Sequence, residues 1–95
     1  MKTISIENIL NLVKTNQKAL VRALQALTNF YDNSPMSKVE IYFAKQVASY
    51  FNKNGEISGI YLENSIDLCE RYSNYLYEIA LIKEKEKMEI SNYDI

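Results

Sequence analysis

The sequence predicts an all-α protein, and three observations carry that prediction. Apolar side chains recur every three or four residues over most of the 95-residue chain, which is the period of an amphipathic helix. No stretch alternates apolar and polar residues with the period of two that indicates a strand. Only two glycines and one proline occur, which favours long elements. We therefore expect a single helical domain over residues 1–95, a compact bundle of three to four helices.

The N-terminal region carries one long apolar row. Ser5 is suited to cap a helix that begins at about residue 6. Positions spaced three or four apart then continue to Tyr31, and Gln17 is their one polar member. Thr15 and Asn16 either break this row or lie on its solvent side. One helix over about 6–31 and two segments that meet near 15–16 both fit, and we favour two segments in near line.

A third helix is predicted to follow the Ser34-Pro35 pair, because proline after a serine cap is typical of a helix start. It should run to about Asn52, and Gly55 should end it in the left-handed conformation. Its apolar face is formed by Val39, Tyr42, Phe43, Val47, Tyr50 and Phe51. We expect the tyrosines on apolar faces to pack in the core: Tyr42, Tyr50, Tyr72 and Tyr75.

The last element is predicted to be a long C-terminal helix over about 59–88. Ser58 would cap it, with Ile57 and Leu62 at the two positions of a hydrophobic staple. No strong helix breaker interrupts the segment that follows. We expect residues from about 89 to 95 to form a frayed tail.

Charge is distributed unevenly along the chain, although the formal net charge is only -1. Residues 1–53 contain seven basic and three acidic side chains, a balance of +4. Residues 54–95 contain four basic and nine acidic side chains, a balance of -5. Such segregation indicates surfaces that attract oppositely charged partners.

The acidic side chains of the C-terminal helix should share one face. At about 100° per residue, one broad half of this helix is apolar, and the opposite face carries Glu63, Asp67, Glu70, Asn74 and Glu78. Tyr77 lies at the edge between the two, and with Tyr61 it is a candidate contact residue. An ordinary solvated face also explains the row. The functional interpretation is a partner-binding face for a protein with a basic surface, such as a nucleic-acid channel.

A basic row supports an alternative function. Lys14, Lys18 and Arg22 lie on one side of the second helical segment, where they would contact the phosphates of a nucleic acid. Three cations neutralise few phosphates, so a solvated face accounts for them as well. A homodimer that places the basic helix against the acidic helix would use both rows.

The sequence contains no set of residues suited to catalysis. It lacks histidine, the usual proton shuttle near neutral pH. Cys69 falls on an apolar face, where a thiol is unreactive, and no glycine-rich phosphate loop occurs. The carboxylates at 63, 67 and 70 have no second ligand element for a cation. We predict no catalytic residue, no metal, no cofactor and no enzymatic activity.

Cysteine content and hydropathy predict the compartment. A single cysteine cannot form an intramolecular disulfide. No apolar run reaches the roughly 18 residues of a membrane span, and the N-terminal residues lack the apolar region of a signal peptide. We expect a cytoplasmic protein of a bacterial host cell that has no membrane contact.

In overall character the chain resembles small helical proteins of phages and other mobile elements, including the anti-CRISPR proteins. The likeness rests on the short chain, the AT-rich composition visible in 38 Asn, Ile, Lys and Tyr residues, and the acidic face; no motif contributes to it. The resemblance implies a protein that binds and inhibits a host protein, such as a CRISPR-Cas or other nucleic-acid-processing defence enzyme. It assigns no role to any residue.

Overall fold

The computed structural model describes residues 5–29 and 34–93, the last ten of these by their backbone alone. The elements in these ranges are all helices: α1 (Ile6–Thr15), α2 (Gln17–Thr28), α3 (Lys38–Asn54), α4 (Gly59–Arg71) and α5 (Ser73–Tyr93). The all-α prediction is confirmed. The predicted number of three to four helices is too low, because the predicted C-terminal helix is divided into α4 and α5.

Asn16 divides the N-terminal row into α1 and α2. Its backbone is extended (φ -138°, ψ 105°), and its N–H still donates to the carbonyl of Leu12. Its side-chain Oδ1 accepts from the N–H of Ala19 at 3.1 Å. Asparagine suits this position because its side chain satisfies an N–H that has no partner in the first turn of α2. The two-segment alternative is therefore correct. α2 ends at Thr28, and the predicted end at residue 31 lies outside the described ranges.

α3 begins later than the Ser34-Pro35 pair predicts. Its N-cap is Ser37, whose Oγ accepts from the N–H of Glu40 at 3.2 Å. The Glu40 carboxylate accepts in return from the N–H of Ser37 at 2.8 Å, which completes a capping box. Ser34 instead donates its hydroxyl to the carbonyl of Leu27 at 2.7 Å, so it fixes the turn that precedes α3.

Gly55 ends α3 in the left-handed conformation, as predicted. Its φ is 80°, and its N–H donates to the carbonyl of Phe51 at 2.7 Å. The last helical residue is Asn54 rather than Asn52.

Tyr72 interrupts the predicted C-terminal helix. Its backbone leaves the helical geometry (φ -108°, ψ 27°), and its hydroxyl donates to Glu40 Oε1 at 2.7 Å. A straight helix over 59–93 would be about 52 Å long, whereas the longest extent of the molecule is 46 Å. The interruption therefore lets α5 pack against α1 and α2. α5 continues to Tyr93, beyond the predicted end near residue 88; the predicted fraying of the tail stays a prediction.

The turn before α4 is held by Gln17 rather than by the predicted serine cap. Ser58 stands at the N-cap position, but its side chain makes no capping hydrogen bond. Gln17 Nε2 donates to the carbonyl of Ile57 at 2.7 Å, and Gln17 Oε1 accepts from the N–H of Ile57 at 2.9 Å. Because Ile57 is buried, both of its backbone groups need such partners. This contact explains the one polar position in the N-terminal row.

The core is built around α2, which packs against each of the other four helices. Thirteen buried apolar residues form one cluster: Val13, Leu20, Val21, Leu24, Leu27, Met36, Ala44, Val47, Ala48, Ile57, Leu68, Cys69 and Leu76. Ser65 is buried among them, and its hydroxyl donates to the carbonyl of Tyr61 at 2.6 Å. The arrangement leaves α3 at one side of α2 and the pair α1 and α5 in contact with each other.

Candidate protein-binding surfaces

The fully buried side chains of α3 are small, and several of its large ones are exposed. Its buried residues are Ala44, Val47 and Ala48. By contrast, Val39 is 78% exposed, Tyr42 64% and Tyr50 44%. The prediction that Tyr42 and Tyr50 belong to the core is therefore wrong, and Tyr75 is exposed as well. The physical reason is that the apolar half of α3 is wider than the face that the core covers.

The exposed side chains of α3 meet exposed side chains of α4. The ring of Tyr61 lies 6.0 Å from that of Phe43 and 5.7 Å from that of Tyr50, measured between centroids. These separations fall in the range of favourable aromatic pairs. Ile60, at the start of α4, is 68% exposed. We name this patch the aromatic surface, formed by Val39, Tyr42, Phe43, Tyr50, Ile60 and Tyr61.

An acidic border adjoins the aromatic surface on α4. Asn64 and Asp67 line a shallow cavity of about 230 Å³ together with Val39 and Phe43. Glu63 is exposed and lies one helical turn from both Ile60 and Asp67. Glu63 forms no ion pair with any residue in the ranges 5–29 and 34–83. Its negative charge is therefore available beside exposed apolar side chains.

The predicted acidic row is divided between two helices. Its first three members, Glu63, Asp67 and Glu70, lie on α4, and Asn74 and Glu78 lie on α5. All five are exposed, whereas Tyr77 is half-buried. Because Tyr72 interrupts the helix between the two groups, the regular spacing of one continuous helix does not extend through the row. The structure thus places these side chains at the surface without forming the single rigid row.

Two carboxylates of the row pair with cations of the same chain. Asp67 Oδ2 accepts from Arg71 Nη2 at 2.6 Å. Glu70 Oε1 lies 3.1 Å from the ammonium of Lys14, which belongs to α1. The acidic and basic rows therefore meet partly within one chain. Both pairs are solvent-exposed, so we expect their contribution to stability to be small.

The predicted basic row is divided as well, since Lys14 lies on α1 and Lys18 and Arg22 lie on α2. Lys18 and Arg22 are exposed and border a groove of about 370 Å³ between α1, α2 and α5. We name it the basic groove. Lys83 of α5 is its third cation, and apolar or small residues line it, among them Leu12, Ala19, Ala23, Ala26, Ile79 and Ala80. The sequence pattern did not predict this groove, although the alanines beside the basic row were an available signal.

A polar cluster joins the start of α3 to the junction of α4 and α5. Arg71 Nη1 donates to Glu40 Oε2 at 2.7 Å, and the hydroxyl of Tyr72 donates to Glu40 Oε1. The N–H of Ser37 lowers the pKa of Glu40, the bond from Tyr72 lowers it further, and burial opposes both. Asp67 raises the pKa of Arg71, and the bond to Glu40 raises the pKa of Tyr72. Every member has a partner, which indicates a structural role.

Cys69 and the acidic side chains offer no evident chemistry. Cys69 is fully buried, and burial raises the pKa of its thiol to about 12. Such a thiol stays protonated at neutral pH and is a poor nucleophile. Within residues 5–29 and 34–83, no group of three or more Cys, Asp or Glu side chains is placed to hold a metal ion.

Comparison with known proteins found no matching family model, no similar curated protein and no similar solved structure. The resemblance to small phage and mobile-element proteins therefore stays a prediction. In the part of the chain that the structure describes, no helix has both the length and the apolar character needed to cross a membrane.

Proposed function

We propose that the protein is a non-enzymatic binding module that inhibits or recruits a protein partner, and that the partner contacts the aromatic surface and its acidic border. The observation that carries the proposal is the exposure of Val39, Tyr42 and Tyr50 along α3, where Tyr50 meets the exposed Tyr61 of α4. Large apolar side chains gathered on one surface and edged by polar groups are typical of protein interfaces. Tyrosine is also enriched among the residues that dominate binding energy.

The charge beside the aromatic surface favours a partner with a basic surface. At the border, the carboxylate of Glu63 has no ion-pair partner among the described side chains. Asp67 contributes less, since Arg71 already neutralises it. Complementary charge speeds association and selects among partners more than it adds affinity. In this proposal the aromatic side chains supply most of the affinity, and Glu63 supplies orientation.

The resemblance in character to anti-CRISPR proteins suggests which partners to test first. The basic channels of nucleic-acid-processing defence enzymes present arginines and lysines that bind phosphates. A carboxylate next to an apolar patch would occupy such a channel and exclude nucleic acid. We propose this class of partner, with a bacterial cytoplasm as the place of action.

The test is a quantitative affinity capture from host cells with four forms of the tagged chain. We expect Tyr42→Ser and Glu63→Lys to reduce capture of the partner, by about 30-fold for the tyrosine if it contributes as a binding hot spot does. Leu81→Ser is the matched control, because Leu81 is similarly exposed but lies on α5. Circular dichroism should show unchanged helicity in all variants. If no captured protein depends on Tyr42 and Glu63, the proposal is wrong.

The same assay separates the aromatic surface from the acidic row as a whole. Glu78→Lys changes the charge of the α5 part of that row and leaves α3 and α4 intact. We expect it to change capture by less than about twofold, as is usual for a charge outside the buried centre of an interface. A loss equal to that of Glu63→Lys would instead favour the acidic row on both helices.

The alternative function, nucleic-acid binding through the basic row, predicts a different result. Lys14 is paired with Glu70, whereas Lys18 and Arg22 have no ion-pair partner among the side chains that the structure describes. A gel shift at low salt with single- and double-stranded DNA and RNA tests it directly. Retardation by the native chain that is lost in Lys18→Glu/Arg22→Glu would support the alternative, because phosphate contacts depend on these cations.

A further inference from the structure

The basic groove is a second surface that the proposed function does not use. None of its lining residues belongs to α3 or α4, so it shares nothing with the aromatic surface. Its walls are α1 and α2 on one side and α5 on the other. The groove follows α2 from Asn16 to Ala26, a length of about 15 Å or roughly three helical turns.

The wall that α2 contributes is made of small side chains. Ala19, Ala23 and Ala26 recur at spacings of four and three residues, so they form one row along the groove. Ala80 faces the groove from α5. Short side chains let the backbone of another element approach closely. Leu12, which is exposed, and Ile79 add apolar area at the sides.

The charged side chains that line the groove among residues 5–29 and 34–83 are all basic. Lys18 and Arg22 stand one turn apart on α2, and Lys83 stands on α5. Over the same residues none of the three has an ion-pair partner, whereas Lys14 does. Three cations beside an apolar floor are complementary to a ligand that is both apolar and anionic.

We propose that the basic groove binds an acidic amphipathic α-helix of a partner protein. Apolar side chains of that helix, spaced at i, i+4 and i+7, would pack on the alanine row. Carboxylates spaced four residues apart on its flank would match Lys18 and Arg22, which have the same spacing. A single-headed amphiphile such as a fatty acid carries one negative charge, whereas three cations line the groove. Small ligands also favour sites that enclose them, whereas this groove is open along one side.

The inference goes beyond the proposed function because it names a second partner on a different surface. The aromatic surface has an acidic border and suits a basic partner, while the basic groove suits an acidic one. A chain with both surfaces can hold two partners at once. Failure of either interaction therefore says nothing against the other.

The probe is a panel of synthetic, fluorescein-labelled helical peptides of about 18 residues, or five turns. Each peptide carries leucines at i, i+4 and i+7 and, on the flank of its helix, glutamates four residues apart. The peptides of the panel differ in the position of the glutamates relative to the leucines, which is shifted by one residue from one peptide to the next. A matched panel has lysine in place of each glutamate. Fluorescence anisotropy with the full chain measures affinity. We expect the glutamate panel to contain a peptide that binds at micromolar concentration and the lysine panel to contain none.

Two double variants locate the site. Lys18→Glu/Arg22→Glu should weaken binding of the glutamate peptide about 10-fold or more, because each attraction becomes a repulsion. Lys38→Glu/Lys45→Glu makes the same change in net charge on exposed residues of α3 and should change affinity by less than about twofold. Ala23→Phe, which fills the groove, should weaken binding while thermal unfolding stays cooperative.

Four outcomes overturn the proposal. The first is that no glutamate peptide binds, and the second is that lysine peptides bind equally well. The third is that both double variants behave alike, which would mean that net charge alone governs binding. The fourth uses decanoate as the probe. If decanoate binds in a way that depends on Lys18 and Arg22 while the peptides do not bind, the ligand is a small anionic amphiphile.

Discussion

Replacing Glu40 by alanine should weaken the junction between α3, α4 and α5. We expect it to lower the free energy of unfolding more than the removal of any other carboxylate described above. The Glu40 side chain accepts three hydrogen bonds: from the N–H of Ser37 at 2.8 Å, from the hydroxyl of Tyr72 at 2.7 Å and from Arg71 Nη1 at 2.7 Å. All three hydrogen bonds are lost in the Glu40→Ala variant. The cap of α3 and the turn at Tyr72 are thereby weakened together.

The expected loss in unfolding free energy follows from the bonds to Ser37 and Tyr72, of which only the Tyr72 bond is partly buried. Losing the carboxylate half of a capping box costs about 1 kcal/mol. Leaving the Tyr72 hydroxyl without its charged acceptor costs about 1 kcal/mol more. The ion pair to Arg71 adds little, since the Arg71 side chain is 56% exposed. The sum of about 2 kcal/mol should lower the melting temperature of a domain of this size by roughly 10 °C.

The pH dependence of this loss has a definite sign. The pKa of Glu40 is lowered from its ordinary value of 4.5, chiefly by the N–H of Ser37. A lowered pKa contributes stability that is present above 4.5 and is lost as the pH falls through the pKa of the folded protein. The difference in unfolding free energy between the native chain and Glu40→Ala should therefore narrow below pH 4.5.

Thermal and urea unfolding, followed by circular dichroism from about pH 7 down to about pH 3, measure this difference. Glu78→Ala is the matched control, because Glu78 is an exposed helical carboxylate without an ion-pair partner among residues 5–29 and 34–83. We expect it to change stability by less than about 0.5 kcal/mol. Equal losses in the two variants, or a Glu40→Ala loss that stays constant with pH, would refute the reasoning.

Three further predictions concern stability and reactivity. Gln17→Leu should lower the free energy of unfolding in urea by about 2 kcal/mol, because the buried N–H and carbonyl of Ile57 lose their partners. A loss of stability no larger than that of Lys18→Leu would contradict this. Gly55→Ala should cost about 1 kcal/mol, because φ at this position is 80°, and an unchanged urea midpoint would speak against it. Cys69 should react with a thiol reagent only as fast as the chain opens, so rapid, urea-independent labelling would be inconsistent with its burial.

Local patterns predicted the elements whose ends are set by neighbouring residues. The apolar period predicted helices in every described segment, and Ser5 and Gly55 were correctly assigned as caps. The division at Tyr72 was missed for a physical reason. No glycine, proline or strong cap marks it, and the partner of the Tyr72 hydroxyl is Glu40, which lies 32 residues away in sequence. A tertiary contact here overrides local helix propensity.

The candidate surfaces were predicted only in part for a similar reason. Helical periodicity correctly placed the acidic and basic rows at the surface. It could not reveal that Lys14 pairs with Glu70, because the two residues lie on different helices. Helical periodicity also gives the width of the apolar half of a helix, but it does not show which part of that half another helix covers. Tyr42 was assigned to the core on that basis and is exposed.

The surroundings of the remaining charges favour binding over a merely solvated surface. On an ordinary amphipathic helix, the core covers the apolar stripe and the charges lie on the opposite, polar face. Here Glu63 adjoins the aromatic surface, and Lys18 and Arg22 border a groove floored with alanines. Charges at the edge of exposed apolar area are the arrangement of an interface rim. The two surfaces also carry opposite charge, so the same patch of a partner cannot be complementary to both. The two binding surfaces proposed above would account for the position of Glu63, Lys18 and Arg22 beside apolar side chains.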